Sequence, residues 1–400
     1  MAEFRRVQRI VVSLWGRHVG VIVPASPNGY YAFKYDRQFL KSGIEIAPLM
    51  MPLRAEPYVF SDLPLSAYSG LPPVFADSLP DSFGNALIDR WLIQHGFSKS
   101  EISPLDRLAY IGGRGMGALT YEPEHRPNSR PTALDMRQLV EEARLALNGE
   151  LAGMDEPDAM REIIRVGSSA GGAQAKAIVG WNRTTGEFML GDVNLPADFE
   201  PWIIKFTPPE YPWRGEREFH HYEMAQAAGL RMSESAVYEI DQRKHFMTRR
   251  FDREGAVRHH VLTLSALAHY PMIVPTKHRT YEQLLVATDE LGLGYEAMEE
   301  QFRRIAFNVL SGECDDHTKN FSFLMKKDSG WELAPAYDLT GSNFPAEDPW
   351  SAHGKVHQLS VNGKFIDIAE ADLLTVADRF GIGTAPRILE QVKSAVLKNK

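Results

Sequence analysis

The sequence predicts an α/β protein of the α+β kind, rich in strands up to about residue 255 and largely helical beyond. Three observations predict it. Apolar runs such as RIVVSLWGRHVGVIVPA, QAKAIVGW, PWIIKF and HFMTRRFDR have the length and β-branched content of strands. The closing stretch RILEQVKSAVLKNK puts Ile388, Leu389, Val392 and Val396 on one helical face. Between the two regimes no internal repeat and no low-complexity tract appears.

The elements follow in chain order. RIVVSLWGRHVGVIVPA divides into two strands around Gly16-Arg17, and SPNGYY supplies the next turn. PPVFADSLPDSFGNALIDRWLIQHG carries Ala86, Leu87, Trp91 and Leu92 at helical spacing and ends at Gly96. The glycine-rich YIGGRGMGALTYEP runs into a short strand. Glu122 to Pro131, polar and proline-bearing, is the best domain boundary. A helix with Met136, Leu139, Val140, Ala143 and Leu147 on one face follows, with Gly149 as its C-cap. QAKAIVGW and PWIIKFTPP are strands, EREFHHYEMAQAAGL a helix ending at Gly229, and HFMTRRFDR a further strand.

Composition narrows the function classes. The chain has 400 residues, enough for two or three domains. A hydrophobic share of 44% and a charged share of 24% are those of an ordinary globular protein. One cysteine, Cys314, excludes an internal disulfide framework and suits a reducing, cytoplasmic setting. No apolar run approaches the roughly 18 to 20 residues of a membrane span. The apolar stretch Ile10 to Trp15 is too short for a signal peptide and is closed by Arg17. A formal charge of −8 argues against broad nucleic-acid binding by this chain alone.

Four segments carry chemistry. GSSAGGAQAK, Gly167 to Lys176, is a small-residue loop entering a strand, suited either to backbone contact with phosphate oxygens or to a plain surface loop. It matches neither the P-loop nor the protein-kinase glycine loop. Lys205, inside the apolar PWIIKF, either reaches water from an edge strand or grips nucleotide phosphates, because an unpaired buried ammonium is costly. SGECDDHTKNFSFL admits three readings. Cys314, Asp315 and His317 are potential metal ligands without a second ligand cluster of recognisable spacing. A solvated loop would not need His317 or Asn320. The third reading is phosphoryl transfer, because Asp315 and Asn320 have the D-x-x-x-x-N spacing of a kinase catalytic loop. There the aspartate accepts the hydroxyl proton, the asparagine binds Mg²⁺, and Lys319 offsets phosphoryl charge. Tyr337-Asp338-Leu339, behind the hairpin-like FSFLMKKDSGWELAP, stands where kinases place a second metal-binding aspartate.

GGAQAK, IIKF, RRFDR, CDDHTKNFSF and AYDL, behind LPPVFADSLPDSFGNALI, together resemble the HipA family of bacterial serine/threonine kinases, the toxins of type II toxin–antitoxin modules. The resemblance spans most of the chain, the tail LSVNGKFIDIAEADLLTVADRFGI included. It implies a protein-kinase-like bilobal fold with an additional β-rich N-terminal subdomain: 1–125 as that subdomain, 126–253 as the small lobe and 254–400 as the helical C-terminal lobe.

The cofactors it implies are ATP and Mg²⁺. Asp315 would be the catalytic base, and Asn320 and Asp338 the Mg²⁺ ligands. Lys205 would contact the phosphates, covered by the loop of Gly171, Gly172, Ala173, Gln174, Ala175 and Lys176. Arg249, Arg250 and Phe251 would form the hinge at adenine, with His317 and Tyr337 near the nucleotide. Ser169, or its neighbour Ser168, would be the autophosphorylated serine whose phosphate shuts the enzyme off, pairing with bases such as Arg249 or Arg250. Arg249 replaces a glutamate of some members, and Asp316 an arginine of others, which would alter substrate charge preference.

The partners implied are a small helix-turn-helix antitoxin of the HipB kind, operator DNA through it, and a protein substrate such as a translation component. Two other functions compete with the kinase toxin: an antitoxin-binding corepressor with little catalysis, and a phosphotransferase acting on a small molecule. The intact Lys205, Asp315, Asn320 and Asp338 favour the enzyme.

Overall fold

The computed structural model describes residues 6–25, 29–80, 84, 85, 88, 89, 92, 93, 96–125, 135–137, 139, 140, 174–191, 195–272, 279–341 and 356–399. Two compact units divide the chain. The first takes Met1–Ile46, Leu53–Gly215 and Ala236–His260, and the second Ala47–Pro52, Glu216–Ser235 and Val261–Lys400.

The first unit holds two larger sheets. Strands β1 (Ile10–Leu14), β2 (Arg17–Pro24), β3 (Tyr31–Tyr35) and β4 (Leu119–Glu122) pair antiparallel in the order β3-β2-β1-β4. Ile10, Val12 and Leu14 alternate inward and are fully buried, as the period-two pattern predicts. The β1–β2 loop has only two residues, Trp15 (φ 50°) and Gly16 (φ 74°), whose left-handed backbone matches the twist of a tight hairpin. The second sheet, of five strands, comprises β5 (Lys176–Trp181), β6 (Phe188–Leu190), β7 (Glu200–Lys205), β8 (Ser235–Ile240) and β9 (Arg243–Arg249), in the order β6-β5-β7-β9-β8. Its apolar face, with Val179, Trp202, Ile204 and Met247 at the centre, packs on Ile88, Leu92, Tyr110, Leu139 and Val140. Fully burying one such aliphatic side chain stabilises the fold by about 1.5–3 kcal/mol.

Helix α1 (Pro104–Ile111) is an element that apolar spacing alone did not reveal. Its signal is chemical: Ser103 caps the helix by accepting the Asp106 N–H, Asp106 accepts the Ser103 N–H in return, and Pro104 occupies the first turn.

The second unit is mainly helical. It holds most of α2 (Arg214–Ala227), together with α3 (Tyr281–Glu290), α4 (Tyr295–Ser311), α5 (Glu370–Arg379) and α6 (Ala385–Lys398). Strands β10 (Arg253–Glu254) and β11 (Val257–Arg258) form a short hairpin in the first unit. They precede β12 (His260–Thr263), which joins β13 (Ser322–Lys326) and β14 (Gly330–Leu333) in a three-stranded sheet. Helix α6 lies against α4, burying Ile388, Leu389, Val392 and Val396, the stripe read from the sequence. Helix α4 buries Phe302, Ile305, Ala306 and Phe307 and stops at Gly312 (φ 78°), whose N–H bonds the Asn308 carbonyl. That stop releases the chain into the loop 313–321, and β13 takes it up again.

Candidate functional site

The loop after α4 is built around Asp315. Glu313, two residues earlier, is almost wholly buried, and its carboxylate accepts three backbone hydrogen bonds. One comes from the Asp315 N–H at 3.0 Å, the others from Thr340 at 2.7 Å and Gly341 at 2.6 Å. A single side chain therefore ties the Asp315 loop to the segment following Asp338. Burial pushes the Glu313 carboxyl up to about 7, against the lowering effect of the N–H donors from Gly341 and Asp315.

Asn320 closes the loop from its other end. Its side-chain nitrogen donates to the Asp315 carbonyl at 2.7 Å, and its backbone N–H to the His317 carbonyl at 2.9 Å. Tyr337 joins the two segments again: its hydroxyl donates to the Lys319 carbonyl at 2.6 Å and lies 2.6 Å from the Ser322 hydroxyl. Asp338 follows in a left-handed conformation, φ 58°, which is uncommon for a residue with a side chain and marks a constrained turn. Gly341 (φ 63°) packs against the His221 ring so closely that a Cβ there would overlap it.

Asp315, Asn320, Tyr337 and Asp338, with Arg304 and Asn308 from α4, line one depression. The Asp315 side chain is 43% exposed, so it meets solvent there. His317 Nε2 stands 3.9 Å from Asp315 Oδ1, and its buried Nδ1 makes no hydrogen bond among the described residues. Lys319 is half-buried in the same loop.

Asp316 also borders the depression, but its carboxylate is taken up by protein groups. Its side chain is fully buried, which corrects the expectation that it sets substrate charge preference: it is not exposed to a substrate. It accepts from the Tyr281 hydroxyl at 2.6 Å, from the Gln358 N–H at 2.6 Å and from His357 Nδ1 at 2.7 Å. Burial disfavours the His357 cation, yet hydrogen bonds and charge from Asp316 and Cys314 raise it to about 10. The Gln358 side-chain amide donates to Asp315 Oδ1 at 2.8 Å.

The remaining predicted site residues belong to the first unit. Lys205 and Lys176 sit directly opposite each other on β7 and β5, both buried, so they share one face of the sheet. Lys205 Nζ lies 5.7 Å from the centre of the Phe246 ring. Gln174 donates to the Phe206 carbonyl at 3.1 Å, and the Ala175 carbonyl accepts the Phe206 N–H at 2.8 Å. Ser168, Ser169, Gly171, Gly172 and Ala173 lie outside the described residues.

Arg249 pairs with Glu200 at 3.2 Å, and Phe251 is half-buried. Arg250 corrects an expectation. Its side chain is fully buried and grips Asp252 with Nε at 2.9 Å and Nη2 at 2.7 Å, so it is not available to hold a phosphoserine. Its backbone N–H donates to the Pro201 carbonyl. Asp252 also binds Arg253 and the Gly117 N–H, and Arg253 donates to the Gly115 and Gly117 carbonyls. Burial alone would raise the Asp252 pKa; the two arginines hold it well below the usual carboxylate range. RRFDR therefore anchors the glycine-rich stretch IGGRGMGAL through buried charge pairs, a role its sequence did not declare.

Sequence reasoning missed Glu313, His357, Gln358 and Tyr281. Glu313 was visible beside the motif. The others reach it from 41 to 43 residues downstream and 35 upstream, and no local pattern marks such a distance.

Known proteins match this architecture. The HipA N-terminal domain matches residues 10–122 and the HipA-like C-terminal domain residues 168–399. A Sinorhizobium fredii protein named "Putative kinase Y4mE" is 28% identical over 410 residues, 93% of this chain and 86% of that protein. A second from the same organism, "Putative kinase Y4dM", is 25% identical over 282 residues, 65% of this chain and 62% of its own length. Among solved structures, HipA of Shewanella oneidensis, in complex with HipB and operator DNA, has a TM-score of 0.69 at 17% identity, covering 98% of this chain and 90% of that one. That likeness carries the fold, α+β and kinase-like, and the two domain matches together cover most of the sequence. The chain belongs to the HipA family.

Proposed function

We propose that the chain is a Mg²⁺/ATP-dependent protein serine/threonine kinase and the toxin of a toxin–antitoxin module. The observation that supports it best is the convergence of Asp315, Asn320 and Asp338 on one depression, in the order and spacing of a phosphoryl-transfer site. The donor set fits Mg²⁺, which accepts one or two carboxylates together with phosphate oxygens and water. Asn320 commits its amide nitrogen to the Asp315 carbonyl, leaving its Oδ1 outside that bond as the atom for a cation. When bound, the ion would neutralise charge on the transferring phosphoryl group.

Asp315 accepts the proton of a serine or threonine hydroxyl as the new O–P bond forms and the bond to the ADP oxygen breaks. Asn320 and Asp338 would hold the metal ion, and Lys319 would offset charge at the same loop. In the first unit, Lys205 and the loop ending in Gln174, Ala175 and Lys176 bind the phosphates, and Arg249 to Phe251 bind the adenine end. Domain limits of 1–125, 126–253 and 254–400 belong to the same proposal. So do autophosphorylation at Ser169 or Ser168, a cytoplasmic location, and a helix-turn-helix antitoxin that carries operator DNA, as HipB accompanies HipA in the Shewanella complex. Radiolabelled ATP incubated with the purified chain and Mg²⁺ tests the reading: label on protein is expected. Its absence, with the Asp315→Asn chain indistinguishable from wild type, would favour the corepressor.

A further inference from the structure

Asp315 is held at both its backbone and its carboxylate, by different parts of the chain. Glu313 and Asn320 fix the backbone, through its N–H and its carbonyl. The carboxylate receives the Gln358 side-chain amide on Oδ1 at 2.8 Å. That amide is itself firmly placed. The Gln358 N–H and the preceding His357 ring both bond Asp316, whose side chain is fully buried. The His357 N–H donates to the Phe365 carbonyl, and the Ser360 N–H to the Arg279 carbonyl, while Leu359 and Val361 on either side are fully buried. The Ser360 carbonyl in turn accepts the Tyr281 N–H at the start of α3. Gln358 is thus a side chain of an anchored strap that reaches the half-exposed Asp315.

We propose that Gln358 is a positioning residue for phosphoryl transfer: it takes up Asp315 Oδ1, turns Oδ2 toward the acceptor hydroxyl, and is itself locked by the Asp316–His357 pair. A general base works only within hydrogen-bond reach of the proton it takes, so a carboxylate that can rotate spends much of its time misdirected. A neutral amide suits this task. It donates to the carboxylate without presenting a competing proton acceptor to the substrate, whereas a lysine in its place would add charge beside the metal ligands. The inference rests on the kinase reading above.

The test uses the full chain with ATP, Mg²⁺ and casein as acceptor. Gln358→Met keeps the length and removes the donor, and Gln358→Glu keeps the shape and turns the donor into a repelling carboxylate. A hydrogen bond to a charged group lost in this way lowers kcat by about tenfold or more, and Gln358→Glu should lower it further. KM for ATP should stay within about twofold and the thermal midpoint close to wild type, because the side chain touches the base and not the proposed nucleotide ligands. Unchanged kcat in Gln358→Met would overturn the proposal. So would a fall in kcat that comes only with a matching loss of thermal stability and ATP affinity, which marks a structural role. Should wild type transfer no phosphate, the kinase reading fails, and a crystal structure of Gln358→Met decides the positioning claim separately: a rotated Asp315 carboxylate is expected, and an unmoved one overturns it.

Discussion

At the scale of single residues the site depends on acids with different proposed tasks. Asp315→Asn should lower phosphoryl transfer by at least about 10²-fold, the lower bound for losing a general base. ATP affinity, measured by calorimetry, should survive, since the proposed phosphate-binding roles fall to other residues. Glu313→Ala should act differently. It strips the acceptor from three backbone N–H groups, and an unsatisfied buried donor costs about 1–3 kcal/mol. Urea titration should show a loss of roughly 2–4 kcal/mol, together with weaker turnover because the Asp315 and Asp338 segments are no longer tied. The two raised groups also predict a pH dependence. Glu313 titrates near 7 when folded and His357 near 10, both above their ordinary values of 4.5 and 6.5. A raised folded-state pKa stabilises below the unfolded value, and that stabilisation is lost as pH rises through the folded one. For His357 the window is therefore pH 6.5 to about 10. Wild type should lose thermal stability across it more steeply than His357→Phe, and parallel curves would refute the charged pair.

At the scale of elements, helix ends decide where the chemistry sits. Helix α4 must stop at Gly312 for Glu313 to turn inward, and the left-handed φ of 78° is the stop. Space around Gly312 is open, so Gly312→Ala meets no clash and pays only backbone strain, about 1 kcal/mol. Chemical denaturation should detect that loss, and activity should fall with it as the loop start shifts. Ser103→Ala at the head of α1 is the control for an end that carries no proposed site residue. It should cost about 0.5–2 kcal/mol and leave kcat untouched. These ends were legible to different degrees. Gly96 and Gly229 stand out as full stops after apolar periodicity, whereas α1 has its clearest signal in a cap rather than in its spacing.

At the scale of the whole molecule, charge bears on the proposed division between enzyme and DNA reader. A formal charge of −8 offers little to a phosphate backbone. The isolated chain should show no tight binding to duplex DNA at physiological salt in a mobility-shift assay, and sequence-specific binding should appear only with the proposed antitoxin present. Tight specific binding by the chain alone would overturn that division of labour.

What the sequence by itself determined is the local and the periodic: strand runs before about residue 255, the β1–β2 hairpin, the α6 stripe, and the spacing of Asp315, Asn320 and Asp338. Each is a property of neighbouring residues, whose backbone conformation and facing side chains follow from alternation, helical pitch and turn chemistry. Only the tertiary structure decided what the charged residues do. The Asp316 side chain looked open to a substrate and the Arg250 side chain to a phosphoserine, yet both are buried in charge pairs. Glu313 and Gln358 drew no notice and hold the proposed base. The physical reason is that a buried polar group must find its partner in space, because leaving it unpaired is costly, and the fold supplies that partner from anywhere along the chain.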